Sequence, residues 1–169
     1  IGYAAVAQEL YFKQSEVHGM SQRGGAVQSH FRLSTEPIYS DLIPKGKADI
    51  IISVEPMEAI RYIEWLSPEG WLITNTEPYI NIPDYPPKED LLNNINNFKN
   101  VRAFNAEKIA KELGSSKSAN MVVLGAAVPY LDIKPEEFEK AIGILFSRKG
   151  EKVVQKNIEA LRKGMELSK

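Results

Sequence analysis

The chain has 169 residues, 43% of them hydrophobic and 25% charged, with 21 basic and 22 acidic side chains for a net charge of -1. That size suits one soluble domain over 1–169, able to bury roughly 70% of its unfolded surface without a disulfide or metal staple. The near-neutral charge gives no global field for gathering nucleic acid, and the lack of any Cys excludes a disulfide framework, a thiolate nucleophile, a Cys-ligated zinc and an iron–sulfur cluster held by this chain.

The chain opens at Ile1 without an initiator Met. Residues 1–9 are Ala-rich and apolar at spacings that suit the back part of a buried helix, so the sequence reads as the remainder of a longer protein. Residues 10–14 read as a short strand, with Leu10 and Phe12 on one face. Residues 15–25 read as a Gly-punctuated loop. From Ala26 to Ser34 a period of two returns, with Val27, Ser29, Phe31 and Leu33 on one face and Gln28, His30 and Arg32 on the other. Residues 48–54 are a continuous apolar, β-branched run, the pattern of a parallel strand buried on both faces. Glu55-Pro56 then starts a helix with Met57, Ile60 and Ile63 as its stripe. Ser67-Pro68-Glu69-Gly70 reads as a turn, and residues 71–75 as the next strand.

Four prolines mark residues 76–88 as loop. A helix over 88–98 and a strand over 101–104 follow. Asn105 caps the next helix, with Ala106, Ile109, Ala110 and Leu113 as its stripe and Gly114 as its stop. Residues 118–130 read as an apolar helix ended by Pro129. Pro135 opens another, with Phe138, Ala141, Ile142 and Leu145 facing the core, and a last amphipathic helix spans 151–167. Strands separated by helices predict an α/β protein, a three-layer α/β/α sandwich with a mostly parallel sheet. The longest apolar runs are too short to span a bilayer.

The loop over 15–25 concentrates the chemistry. It places an acid, an imidazole, an amide, a guanidinium and three glycines between two strands. Arg23 beside exposed N–H groups can hold a phosphate or carboxylate; equally, the loop can be a tight turn with Arg23 solvated or paired to Glu16. His18 can be an acid/base group or a structural hydrogen-bonding residue. His30 lies on the polar side of its strand, where a surface role is the default. Glu55 stands where a buried strand meets a helix, a ligand-binding position in open α/β sheets, although an acid there also complements the helix macrodipole. Glu58 and Arg61 read as a surface helix pair. Residues 147–169 carry seven basic and three acidic residues, fit to face an acidic partner or simply water. The sequence contains no P-loop, dinucleotide fingerprint, G-x-S-x-G elbow or HExxH spacing.

The run Ser15-Glu16-Val17-His18-Gly19-Met20-Ser21-Gln22-Arg23-Gly24-Gly25-Ala26-Val27 resembles a signature of the small beta subunits of indolepyruvate:ferredoxin oxidoreductases, in the gamma-domain class of the 2-oxoacid:ferredoxin oxidoreductases. Residues 48–59, 120–126 and 157–165 resemble later segments of the same family, so the resemblance covers essentially the whole chain. It implies a gamma-type domain like that of pyruvate:ferredoxin oxidoreductase. The implied role is that of a cytoplasmic accessory subunit in oxidative decarboxylation of aryl-pyruvates to acyl-CoA.

By the same resemblance, thiamine diphosphate, Mg and iron–sulfur clusters belong to a larger alpha subunit, ferredoxin docks on the complex, CoA is a co-substrate, and this chain alone binds no cofactor, nucleic acid or membrane. The absence of Cys and of Gly-Asp-Gly, the start of the usual thiamine-diphosphate metal motif, agrees with that division. The resemblance makes Ser15, Glu16, His18, Gly19, Met20, Gln22, Arg23, Gly24, Gly25 and Glu55 the candidate cofactor-binding or subunit-interface residues, with no catalytic residue or metal ligand on this chain. Family members also carry a strand and a G-x-G-G-Q-G turn ahead of the first helix; the sequence as given has neither. A free-standing CoA- or nucleotide-binding module is the alternative reading, and an independent Ser hydrolase a third.

Overall fold

The structure is a computed structural model describing residues 1–18 and 27–168. In chain order these form α1 (Gly2–Ala7), β1 (Tyr11–His18), β2 (Val27–Ser34), β3 (Ala48–Ser53), α2 (Pro56–Arg61), β4 (Leu66–Asn75), α3 (Lys88–Asn96), β5 (Val101–Phe104), α4 (Ala106–Glu112), α5 (Ala119–Ala127), α6 (Pro135–Phe146) and α7 (Glu151–Glu166). Strands β3, β4 and β5 lie side by side in sequence order, and both pairings are parallel. Strands β1 and β2 form a separate antiparallel ribbon.

The alternation along β3 and β4 divides the core. Ile50, Ile52, Trp71 and Ile73 pack on one side with α1, α4, α5, α6 and α7. Ile51, Leu72, Val101 and Ala103 pack on the other with Ala59 of α2 and Ile95 of α3. A strand with apolar residues at every position serves both faces, as a parallel sheet between helix layers requires. The expected three-layer α/β/α arrangement follows from this division.

Three local expectations are corrected. Residues 15–18 are strand, not loop: β1 pairs with β2 in one register from Tyr11 opposite Ser34 to His18 opposite Val27. Ser15, Glu16 and Val17 continue the alternation because a ribbon open to water accepts polar residues on its outer side. Residues 67–70 belong to β4 rather than a free turn. Ala48 faces Leu66 while Ile50 faces Trp71, so five steps of β4 span two of β3 and the surplus bulges outward. Pro68, lacking an N–H, fits such a bulge. Gly70 is needed there, since a Cβ would lie 2.6 Å from Leu66 Cδ1 and 2.8 Å from the Ala48 carbonyl oxygen. Finally, Phe138, Ala141 and Ile142 are buried as expected, but Leu145 is 53% exposed. It falls in the last turn of α6, beyond the edge of the core.

His30 is not a free surface residue. Its Nδ1 accepts from the Ile43 N–H at 3.0 Å, and its ring meets Trp65 edge-on. Arg32 donates to the Ser40 carbonyl at 2.8 Å. The polar face of β2 therefore anchors the ribbon to the segment that leads into β3.

Helices α5 and α7 meet through two glycines. A Cβ on Gly125 would lie 2.0 Å from the Leu161 carbonyl oxygen, and one on Gly164 would lie 2.0 Å from that of Val122. Gly143, inside α6, has nothing within 4 Å of the corresponding position. Gly125→Ala or Gly164→Ala is expected to destabilise the protein by about 2–3 kcal/mol through overpacking. Gly143→Ala is expected to stabilise it by about 0.5–1 kcal/mol, the helix propensity difference. Urea unfolding followed by circular dichroism measures all three.

Candidate functional site

The carboxyl ends of β3, β4 and β5 form the edge where α2 and α4 begin. Helix α2 then runs on the Ala59–Ile95 side of the sheet and α4 on the opposite side. In open parallel sheets the crevice beside such a divergence is the usual ligand position.

Glu55 is the N-cap of α2. Its Oε2 accepts from the Glu58 N–H at 2.8 Å, with Pro56 at the first helical position. The Ser53 hydroxyl donates to the Glu55 carbonyl at 2.6 Å, fixing the turn between strand and helix. Glu55 Oε1 accepts from the Tyr85 hydroxyl. Burial first, then this hydrogen bond and the Glu55 charge, push the Tyr85 pKa well above its usual value. Of the two readings of Glu55, the structure supports the helix-capping one.

Asn75, only 1% exposed, stands at the end of β4. Its Nδ2 lies 3.1 Å from the Val54 carbonyl, 3.1 Å from the Glu77 carbonyl and 3.2 Å from Glu107 Oε1. Its Oδ1 accepts from the Ala106 N–H at 3.0 Å. One amide thus joins the exits of β3 and β4 to the start of α4. Glu77 extends the network, its Oε2 accepting from Lys88 Nζ at 3.0 Å and Asn105 Nδ2 at 2.8 Å. Asn105 caps α4 as expected, its Oδ1 accepting from the Lys108 N–H at 2.8 Å. The sequence showed the cap but not the hub, because Asn75 reads simply as the last residue of a strand.

A cavity of about 600 Å³ follows the outer edge of β3 to this carboxyl end, between β2 and α2. Glu55, Glu58 and Glu107 line it, and among the described lining residues there is no Lys or Arg. One carboxylate oxygen each of Glu58 and Glu107 is buried without a hydrogen-bond partner. The other Glu58 oxygen accepts from Arg61 Nε at 3.1 Å, as the helix-pair reading expects. Carboxylates in this position repel a phosphate and favour N–H donors. Among the described residues, the crevice therefore offers no cation to the polyphosphate of a nucleotide or of CoA.

The expected loop residues are only partly within reach of this site. Ser15 and Glu16 lie along β1, and His18 ends it opposite Val27, whose neighbours Gln28 and Ser29 line the cavity. The His18 side chain and residues 19–26, hence Gly19, Met20, Gln22, Arg23, Gly24 and Gly25, lie outside the described residues. Among the described residues no helix is long and apolar enough to cross a membrane.

A family model described as pyruvate ferredoxin/flavodoxin oxidoreductase matches residues 1–167. The indolepyruvate oxidoreductase subunit IorB of Methanothermobacter thermautotrophicus is 36% identical over 97% of this chain and 86% of its own length. That of Thermococcus kodakarensis is 32% identical over 100% of this chain and 87% of its own. Among solved structures, the keto/oxoacid ferredoxin oxidoreductase gamma subunit of Geobacter sulfurreducens superposes with a TM-score of 0.68 at 25% identity, over 98% of this chain and 85% of that one. The 2-oxoglutarate:ferredoxin oxidoreductase of Magnetococcus marinus, solved with 2-oxoglutarate, coenzyme A and succinyl-CoA bound, superposes at 0.73 with 22% identity. It covers 99% of this chain and 27% of that one, and at that identity shares the fold.

Two measurements check the site. Asn75→Ala is expected to lower stability by about 2–4 kcal/mol, because it leaves buried main-chain groups unpaired. In alkaline titration followed at 295 nm, Tyr85→Phe is expected to remove a late-ionising tyrosine. Because the folded protein holds that proton more tightly, the stabilisation is present below pH 10 and lost as pH rises beyond it. The wild-type protein should therefore lose stability above pH 10 more steeply than Tyr85→Phe.

Proposed function

Because the chain belongs to the pyruvate ferredoxin/flavodoxin oxidoreductase family, we propose that it is the small subunit of an indolepyruvate-type 2-oxoacid:ferredoxin oxidoreductase. The observation that carries the reading is the match to IorB subunits at 32–36% identity over nearly the full chain. The complex would decarboxylate an aryl-pyruvate oxidatively to the acyl-CoA and pass the electrons to ferredoxin.

The residues of this chain support an accessory role. Without Cys it cannot supply thiolates to an iron–sulfur cluster. The acidic lining of its carboxyl-edge cavity does not suit the phosphates of thiamine diphosphate or CoA. We therefore assign thiamine diphosphate, Mg and the clusters to the larger subunit. This chain's part is to shape that subunit's surface near the CoA entrance through the segment over 15–25. Arg23 and adjacent N–H groups orient the segment or an acidic ligand group there, and His18 and Gln22 donate or accept neutral hydrogen bonds. Glu55 acts behind them by fixing the start of α2. A free-standing CoA- or nucleotide-binding module is disfavoured by the same acidic lining.

Co-expression with a large subunit of such an oxidoreductase tests the reading. A stable, brown complex that decarboxylates indolepyruvate with ferredoxin and CoA is expected. A soluble monomer that binds CoA unaided would overturn it. Within the complex, Arg23→Ala is expected to raise the KM for CoA or weaken assembly by about tenfold. Unchanged assembly with unchanged CoA dependence would remove Arg23 from the role.

A further inference from the structure

The corner where α6 turns into α7 carries features that the chain's own folding does not account for. Ile144 and Leu145 are 63% and 53% exposed, two consecutive aliphatic side chains at a helix end. Arg148, Lys149 and Lys152 follow within one turn on either side of Gly150, all exposed. The other cations of these two helices have partners within the chain: Lys140 pairs with Glu137 at 2.8 Å, Arg162 with Glu139 at 2.7 Å and Lys163 with Glu166 at 2.8 Å, and Lys156 donates to the Gly114 carbonyl. Among the described residues none is seen for Arg148, Lys149 or Lys152, and Lys149 only lies over the Phe146 ring, 5.2 Å from its centroid. Glu151 is the one acid in the stretch.

Gly143 is the second, independent observation. It lies inside α6, where glycine is less favourable than alanine by about 1 kcal/mol. Gly125 and Gly164 are required by the carbonyls that approach them, but at the position a Cβ of half-buried Gly143 would take, no side chain or other segment among the described residues lies within 4 Å. Glycine at a helix surface with no internal neighbour suits close approach by another backbone.

We propose that Gly143, Ile144, Leu145, Arg148, Lys149 and Lys152 form a docking surface for an acidic protein segment. Its main chain packs over Gly143, an apolar side chain covers Ile144 and Leu145, and its carboxylates pair with the three cations. The commitment to an acidic partner follows from charge complementarity; the apolar pair with a cationic rim is the anatomy of a protein interface rather than of a phosphate site. The inference rests on the subunit reading above and names a surface through which that assembly is made.

The test uses the full chain co-expressed with the larger subunit, with dissociation constants measured on the reconstituted complex. Gly143→Gln and, separately, the triple variant Arg148→Glu/Lys149→Glu/Lys152→Glu are each expected to weaken assembly by about tenfold or more. The isolated Gly143→Gln chain should unfold at the same or higher urea concentration than wild type, which separates a contact effect from a folding defect. The wild-type affinity should also fall with added salt more steeply than that of the triple variant. If the wild type assembles and both variants do so within twofold, the docking surface is overturned while the subunit reading stands. If the wild type does not assemble, both fall. If the triple variant loses only binding to 1:1 phosphatidylglycerol:phosphatidylcholine vesicles, the surface serves lipid and the proposal is overturned.

Discussion

Three chain segments leave the carboxyl edge of the parallel sheet in different directions, and the side chain of Asn75 is placed where they separate. Strand ends are where ladder hydrogen bonds run out, so the Val54 and Glu77 carbonyls and the Ala106 N–H need other partners. Asn75 supplies them from one fixed point. With two amide hydrogens facing three acceptors, at least one contact is shared, and Glu107 is drawn into the same knot. An apolar residue of equal size would pack there and leave those groups unpaired. The position of the α4 start, and hence of the cavity wall that Glu107 forms, depends on this amide.

Among the described residues, that arrangement gives the crevice a sign opposite to the one usual in nucleotide-binding α/β folds. There, glycine-rich turns and helix N-termini present N–H groups to phosphate. Here the N-terminus of α2 is occupied by Glu55 and that of α4 by Asn105, and acids line the space between. The helix dipoles are answered from within the chain. An edge built in this way serves better as a rigid support for neighbouring polypeptide than as a cofactor cradle, and that agrees with the proposed accessory role.

Much of this was legible in the sequence where the signal is local. The β-branched run of β3, the strand over 101–104, the Asn105 cap, the Gly114 stop and the Pro135 start all depend on residues within one turn of each other. What could not be read depends on distant partners. Tyr85 and Glu55 are 30 positions apart, and nothing in either neighbourhood announces the pair. Residues 15–18 looked like loop because their polar side chains and the following glycines hide an alternation that only the facing strand reveals. Residues 67–70 have turn chemistry, and the fold uses it as a bulge inside a strand. Leu145 obeys the helical period yet lies beyond the core that would cover it. Of the loop residues singled out for binding, Ser15 and Glu16 are placed on the ribbon, and the signature's glycines and Arg23 lie outside the described residues.

Glycine shows most directly how one residue type acquires different meanings. At positions 125 and 164 a methyl group would strike a carbonyl oxygen of the facing helix, so the two glycines set how closely α5 and α7 approach, and the Val122, Val123 and Leu161 core closes around that contact. At position 143 no such neighbour exists. Both cases weaken helix propensity by similar amounts, but only the first is repaid inside the molecule. The tight α5–α7 contact also makes α7 a stiff element, and it is from the first turn of α7 and the last of α6 that Lys152, Ile144 and Leu145 project. A surface held on rigid, interlocked helices loses little freedom on contact with another chain, and that favours association. The internal glycines and the external one are thus parts of one arrangement: the first pair fixes the frame, and the single one leaves a place on that frame open.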